Sequence, residues 1–322
     1  MFADLALIAV ATEAIAGYPD AVYRLVGHPV TWIGRLIAWC DEAWNSPTLS
    51  FEARRWRGVF TFLLLLVVAI AAGVAIMSVL AHLFPAIVAL LLGGVLASSL
   101  LAQRSLDAHV AAVATALERD GIEAGRQAVA QIVGRETKNL DEAAVCRAAI
   151  ESLAENFSDG VVAPLFWMVL AGLPGALAYK AINTADSMIG HKSERHLAFG
   201  WASARCDDLV NLPASRLSAL WLILAAALLG LSPAGALATV RRDASHHRSP
   251  NAGWPEAAMA GALGIRLSGP RIYDGVAVEE RWVGEGNSEL GARDIRLALK
   301  LYRMACGMQI AVLAVIALGL RL

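Results

Sequence analysis

In a chain of 322 residues, 57% are hydrophobic and 17% charged, against about 25% charged in soluble domains, so polar surface is short and disorder, collagen and small disulfide scaffolds are excluded. Lys plus Arg is 27 against 28 for Asp plus Glu, a net charge of -1, which excludes a basic face holding nucleic acid. Four isolated cysteines (Cys40, Cys146, Cys206 and Cys306) have no metal-ligand spacing; they read as small buried hydrophobes, and no Zn, Fe–S or haem site is expected.

The N-terminal MFADLALIAVATEAIAGYPD carries Asp4 and Glu13 and has no basic start. It is not expected to be a signal peptide, and it is a weak span. A membrane helix needs roughly 20 mostly apolar residues to cross about 30 Å. Gly58 to Gln103 holds two such spans around a turn at Ala81-His82-Leu83-Phe84-Pro85, where Pro85 suits a helix start. A third stretch runs from Gly160 to Tyr179, a fourth from Leu217 to Val240, and a shorter fifth from Met304 to Leu320. Residues 105–155 read as polar helices with apolar residues recurring at three and four. Asp141 stands at the start of the second of them, where a carboxylate favours the helix dipole. Residues 241–290, rich in Gly, Pro and Ser, read as a long loop over the membrane helices, containing a turn into the helix EAAMAGALG.

Residues 18–58 hold Arg24, Arg35, Arg54, Arg55 and Arg57, and residues 103–160 hold Arg104, Arg119, Arg126, Arg135, Lys138 and Arg147, whereas the turn near His82 has no basic residue but that histidine. The positive-inside rule puts that turn outside and both basic regions in the cytoplasm. The break Gly172-Leu173-Pro174-Gly175 makes residues 160–179 a broken or re-entrant helix, tolerated only where protein or a wet cavity covers it. If that stretch crosses fully, residues 180–216 lie outside and 217–240 brings the chain back in; if it bends back, 217–240 does not cross either, and hydropathy alone leaves both open. The fold class is all-α: a multi-pass integral membrane helical protein with long cytoplasmic helical and loop connections, read as a single membrane-embedded enzyme domain over residues 1–322.

In IESLAENFSDGVVAPL, Glu151, Glu155 and Asp159 are spaced by four and fall along one helix face. Three stacked like charges read either as a solvated face or as a site neutralised by a cation. Asp159 touches an apolar stretch, where an ionisable group is costly and usually functional. AYKAINTADSMIGHK opens on Lys180, Asn183, Thr184, Asp186 and Ser187, again beside an apolar stretch, and Asp207, Asp208 and Asn211 follow next to Arg205. Local ion pairing explains the second cluster as well as a divalent-cation and phosphate site does. Mg²⁺ takes one or two carboxylates plus phosphates, and Arg holds phosphate bidentately. In SPNAGWPE, Asn251 and Gly253 precede a helix start that suits an anion, though Pro255-Glu256 is also an ordinary helix start. No Walker A, kinase or GxGxxG pattern occurs.

Taken in order, GHPVTWIGRLI, IESLAENFSDGVVAPLFW, YKAINTADSMIGHK, ARCDDLVNLPASRL and SPNAGWPEAAMAGALGIRLSGPRIYDG resemble the adenosylcobinamide-phosphate synthases of cobalamin (vitamin B12) biosynthesis, over nearly the whole chain. One departure is visible: the family's acidic pair, Asp…Gly-Asp-Pro, stands here as Glu13 and Gly17-Tyr18-Pro19-Asp20. The resemblance implies a multi-pass enzyme of the bacterial cytoplasmic (inner) membrane with its active face in the cytoplasm. It implies a ligase that uses ATP and Mg²⁺ to join (R)-1-amino-2-propanol, or its O-phosphate, to the free propionate of adenosylcobyric acid. The product is adenosylcobinamide or its phosphate. The bilayer and other membrane corrinoid enzymes are the expected partners.

For that chemistry Glu151, Glu155, Asp159, Lys180 and Asp186 are the catalytic candidates, and Asp159, Asp186, Asp207 and Asp208 the candidate metal ligands. Lys180, Lys192, Arg205 and Arg216 are assigned to phosphate or to the corrin carboxylate. His28, Asn156, Asn183, Thr184, Ser187, Asn251 and Gly253 are assigned to positioning substrate. These groups are expected to gather around a shared ligand. The competing readings are a membrane transporter, a scaffold for corrinoid enzymes, and an amidase in which Ser187 and His191 meet at helical spacing.

Overall fold

The computed structural model describes residues 2–134, 136–269, 271–273, 276–278 and 281–319, with the backbone alone for Asp20, Val22, Val26 and residues 271–273 and 276–278. Arg135, Pro270, residues 274–275, Leu320 and the Asp20 side chain, all used above, lie outside the described residues. Along the chain run α1 (Ala3–Ala16), α2 (Asp20–Val26), α3 (Pro29–Trp44), α4 (Phe51–Leu83), α5 (Ala86–Ser98), α6 (Gln103–Asp120) and α7 (Ile122–Val129). Then come α8 (Glu142–Phe157), a π-helical turn (Ser158–Val162), α9 (Ala163–Ile189), α10 (Trp201–Val210), α11 (Leu212–Leu228), α12 (Pro233–Asp243), α13 (Gly253–Leu263) and α14 (Ala292–Gly319).

The chain is the helical membrane protein that its hydropathy demands. Among the described residues four helical stretches are long and apolar enough to cross a membrane: Phe51–Leu83, Ala86–Asp120, Glu142–Ile189 and Ala292–Gly319. A fifth exists if the bent pair Trp201–Val210 and Leu212–Leu228 is one span. The turn expected at 81–85 separates α4 from α5, with Pro85 as the N-cap.

Two expectations need correction. The apolar run 217–240 is not one helix, because Gly230 at φ 67 and Ser232-Pro233 end α11 and start α12. Residues 241–290 are not one loop. Besides the expected helix, present as α13, they hold two antiparallel strand pairs, β1 (Leu267–Ser268) with β4 (Trp282–Val283) and β2 (Arg271–Tyr273) with β3 (Val276–Val278). Strands of two or three residues are too short to show a period of two.

The chain divides into two compact units, each built from separate stretches. The first is Met1–Ala102, Ala163–Asn211 and Leu313–Leu322. Its helices approach through small residues, as helices packing in lipid do. A Cβ on Gly73 of α4 would strike Pro174 of α9, and one on Gly94 of α5 would strike Ile8 of α1. Ile37, Leu65, Ala185, Ile189 and Phe199 form one core cluster where α3, α4 and α9 meet. The opposite face of α4 turns Leu63, Val67, Ile70 and Val74 outward. A helix apolar on all sides belongs in lipid.

The second unit is Gln103–Val162 and Leu212–Val312. Here α12 crosses α13 at Gly235 and Gly261, where a Cβ on either would strike the other's carbonyl. Arg296 and Arg303 of α14 pair with Glu118 and Asp107 of α6, and Tyr302 Oη donates to the Gln103 carbonyl at 2.8 Å. Asp141 caps α8 by accepting from the Ala144 amide at 2.7 Å, as the dipole argument expects.

Candidate functional site

In the first unit α9 is interrupted at Ala171 (φ -133, ψ 18) and Gly172 (φ 64, ψ -155). The second of these conformations is essentially open only to glycine. The half-helix after the break carries Lys180, Asn183, Thr184, Asp186 and Ser187. Thr184 donates its hydroxyl to the Lys180 carbonyl at 2.7 Å and Ser187 to the Asn183 carbonyl at 2.9 Å. That leaves Ser187 turned to its own helix rather than to His191, which counts against the amidase reading.

Opposite this half-helix stands Asp207 of α10, which is buried. The carboxylates of Asp186 and Asp208 lie within Coulombic reach of it, and the Asn183 and Asn211 amides approach it. Tyr179 Oη donates to Asn211 Oδ1 at 2.9 Å, holding that amide in place. Asp207 Oδ1 is buried and has no hydrogen-bond partner among the described residues. A dry carboxylate oxygen facing further carboxylates is the donor chemistry of a hard divalent cation, so the residues fit Mg²⁺. Among the described residues no three His, Cys, Asp or Glu side chains gather closely enough to hold a metal ion by themselves.

His28 caps α3, its Nδ1 accepting from the Val30 amide at 3.2 Å. The Tyr18 ring packs edge-on at 4.6 Å. Burial first, and the Lys180 charge second, hold the imidazole below its ordinary value, against the Ser99 carbonyl that accepts from it. His28 is therefore a neutral capping residue beside Lys180.

The second unit gathers the other candidates. Glu151 is buried and accepts the Ser268 amide at 2.7 Å. Glu155 is exposed in the last turn of α8, and Asp159 lies in the π-helical turn that follows it. Such turns are frequent at functional sites. Asn156 donates to the Ser152 carbonyl at 2.9 Å. Arg216 is better placed. Its Nη1 donates to the Leu212 carbonyl, Ser215 Oγ at 2.9 Å and Asn251 Oδ1 at 2.9 Å, and its guanidinium lies 4.5 Å from the Trp254 ring centroid. Every one of these partners is neutral. Beside Gly253 stand the Ala244 carbonyl and His247 Cβ, so its missing side chain serves close packing of the chain on itself.

The expected site residues thus separate into two sets. Lys180, Asn183, Thr184, Asp186, Ser187, Asp207 and Asp208 belong to the first unit, together with His28 and with exposed Lys192 and Arg205. Arg205 pairs with Asp208 at 3.0 Å. Glu151, Glu155, Asn156, Asp159, Arg216, Asn251 and Gly253 belong to the second.

Comparison with known proteins gives this geometry a lineage. The family model described as CobD/Cbib protein matches residues 6–302. The chain belongs to the CobD/Cbib family. The cobalamin biosynthesis protein CobD of Rhizobium meliloti (strain 1021) is 52% identical over 322 residues, covering 98% of this chain and 97% of that protein. The protein of the same name from Rhodobacter capsulatus is 48% identical over 318 residues, covering 98% of each. That of Brucella suis biovar 1 is 47% identical over 298 residues, covering 92% and 90%. No solved structure matches the chain.

In this CobD/Cbib chain the sequence reading missed three features. Asp41 accepts Arg195 Nη2 at 2.8 Å and Asn45 Nδ2 at 2.7 Å, with His196 Nε2 at 3.3 Å. Trp254 lies under Arg216. Asp243 accepts both Arg242 Nε and the Gly284 amide. Partners such as Asp41 and Arg195, separated by 154 positions, leave no mark in local spacing. Trp254 stood inside a quoted motif, and an aromatic residue three after Asn251 was a usable signal.

Proposed function

We propose that the chain is the ATP-dependent ligase of cobalamin biosynthesis that joins (R)-1-amino-2-propanol, or its O-phosphate, to the free propionate of adenosylcobyric acid. In this reading it lies in the bacterial inner membrane with its active face in the cytoplasm, alongside other corrinoid enzymes. The observation that carries it is the buried Asp207 oxygen that has no hydrogen-bond partner among the described residues, beside Asp186, in a chain whose family relatives are named for cobalamin biosynthesis.

A carboxylate does not react with an amine at neutral pH until it is activated. When bound, Mg²⁺–ATP supplies that activation as a phosphoryl leaving group. Asp207 and Asp186 would hold the metal, with the Asn183 and Asn211 amides close to the Asp207 carboxylate. Lys180 offers positive charge to phosphate oxygens from the same half-helix. A carboxylate not engaged by the metal takes the proton that the ammonium must lose before it attacks. Within the second unit Arg216, steered by Asn251, Ser215 and Trp254, presents a guanidinium of the kind that takes a phosphate or a carboxylate. Glu151, Glu155 and Asp159 remain candidates for base work, Glu151 the least suited because it is committed to Ser268.

The test is purified protein with adenosylcobyric acid, ATP, Mg²⁺ and each amine in turn, read by mass. Amide product is expected from the wild type, and a loss of about a hundredfold or more from Asp207→Asn and Asp186→Asn, on the scale of removing a metal-site or acid–base group. Wild-type turnover in both folded variants overturns the assignment.

A further inference from the structure

The first unit contains a cavity of about 550 Å³ whose wall is almost entirely hydrocarbon. Its sides are Leu65, Ala69 and Ala72 of α4, Leu96 of α5, and Leu173 and Leu177 of the second half of α9. Its volume falls within the usual range of ligand sites, about 300–1,000 Å³, but such sites carry a few convergent polar groups that fix a polar ligand. Here three of the lining hydroxyls already commit their protons to backbone carbonyls. Tyr18 donates to the Gly27 carbonyl at 2.6 Å, Ser98 to Val95 at 2.7 Å and Ser99 to Leu96 at 2.7 Å. A polar solute entering this space would give up its water and find few donors in return.

The position of the cavity decides what fills it. Val68, Ile76 and Val95 line it and are also exposed, so its wall runs without a break into the outer surface of α4 and α5. Those helices lie in stretches apolar enough to cross a bilayer, where what surrounds them is hydrocarbon. We propose that this cavity holds one acyl chain of a bilayer phospholipid, entering sideways between α4 and α5 and resting against Leu173 and Leu177. The chain then supports the half-helix that carries Lys180 and Asp186, directly after the backbone break at Gly172. The bound lipid is a structural ligand, and its presence is independent of the reaction proposed above.

The experiment reconstitutes the full chain into phosphatidylethanolamine–phosphatidylglycerol bilayers doped with a phosphatidylcholine bearing a mid-chain diazirine. The protein is moved into detergent, illuminated and mapped by mass spectrometry. Lipid merely surrounding the protein is washed away in that step, whereas a chain held in the cavity stays. The expected label falls on Leu173 and Leu177, with little on outward-facing Val315. Ala72→Trp, which puts an indole on the cavity wall, should abolish the Leu173 and Leu177 label, while Ile70→Trp on the outward face of the same helix should leave it. Absence of label at Leu173 and Leu177 in the wild type overturns the proposal by itself, whether or not Ala72→Trp folds. So does label that persists in folded Ala72→Trp.

Discussion

At the scale of single residues, the balance around Asp41 makes a statement about pH. Burial pushes this carboxyl up, but Asn45, Arg195 and His196 together outweigh that and hold it below the usual carboxylate range. A carboxyl with a depressed folded value contributes stability that is fully present above its unfolded value, about 3.9, and is lost as pH falls through the folded value. Thermal unfolding in detergent should therefore show a midpoint that drops in acid below about pH 4. In Asp41→Asn that drop should be smaller, from a lower starting point at neutral pH. Arg216 gives a second prediction at this scale. Trp254→Ala should raise KM with kcat little changed, since the ring orients Arg216, whereas Arg216→Ala should cost about 2–5 kcal/mol of transition-state binding, as loss of a charged hydrogen-bond partner does. Steady-state kinetics on the two variants separate the effects. Such pairings were only partly legible. His28 was visible in the sequence as a residue before a proline, but only the structure shows it capping α3.

Among the elements, the break in α9 was legible and the π-helical turn before it was not. Gly172-Leu173-Pro174-Gly175 announces an interruption because glycine opens a conformation closed to other residues and proline cannot continue a helix. Gly172→Ala should lower stability by about 1–3 kcal/mol, the cost of a side chain in a glycine-only conformation. The Phe2 ring, 3.2 Å from where the new methyl would sit, adds to the effect, and a fall in the melting temperature in detergent is the reading. By contrast, nothing in ENFSDGVV distinguishes a π turn from continued α-helix, so the change of helix type at Ser158–Val162, where Asp159 sits, was silent. The division between α11 and α12 was hidden for a related reason. Leu217 to Val240 is apolar throughout, and hydropathy cannot see that Gly230 and Pro233 end one helix and open another. The α12–α13 crossing was equally silent, since Gly235 and Gly261 become meaningful only when brought together. Gly261→Val should overpack that crossing by about 1–3 kcal/mol, visible as a lower denaturation midpoint.

For the whole molecule, composition was enough to establish a helical membrane protein, and the ordered motifs were enough to establish the family. What the motifs did not carry was the division of their residues between two interleaved units, because each unit is assembled from distant stretches of chain. The proposed cytoplasmic face has its own check. Cysteine introduced at Ser193, tested with an impermeant reagent, should react in inverted membranes and not in intact cells, with His82→Cys showing the reverse; labelling of Ser193→Cys from outside would refute the orientation. The central claim, amide formation supported by the Asp186–Asp207 pair, meets its most direct test in the mass of the product. With adenosylcobyric acid, amine, ATP and Mg²⁺, the account predicts a new species at the summed mass of acid and amine less one water, absent without ATP and nearly absent in Asp207→Asn. Unaltered adenosylcobyric acid after incubation with folded wild-type protein, or full conversion by Asp207→Asn, would contradict it.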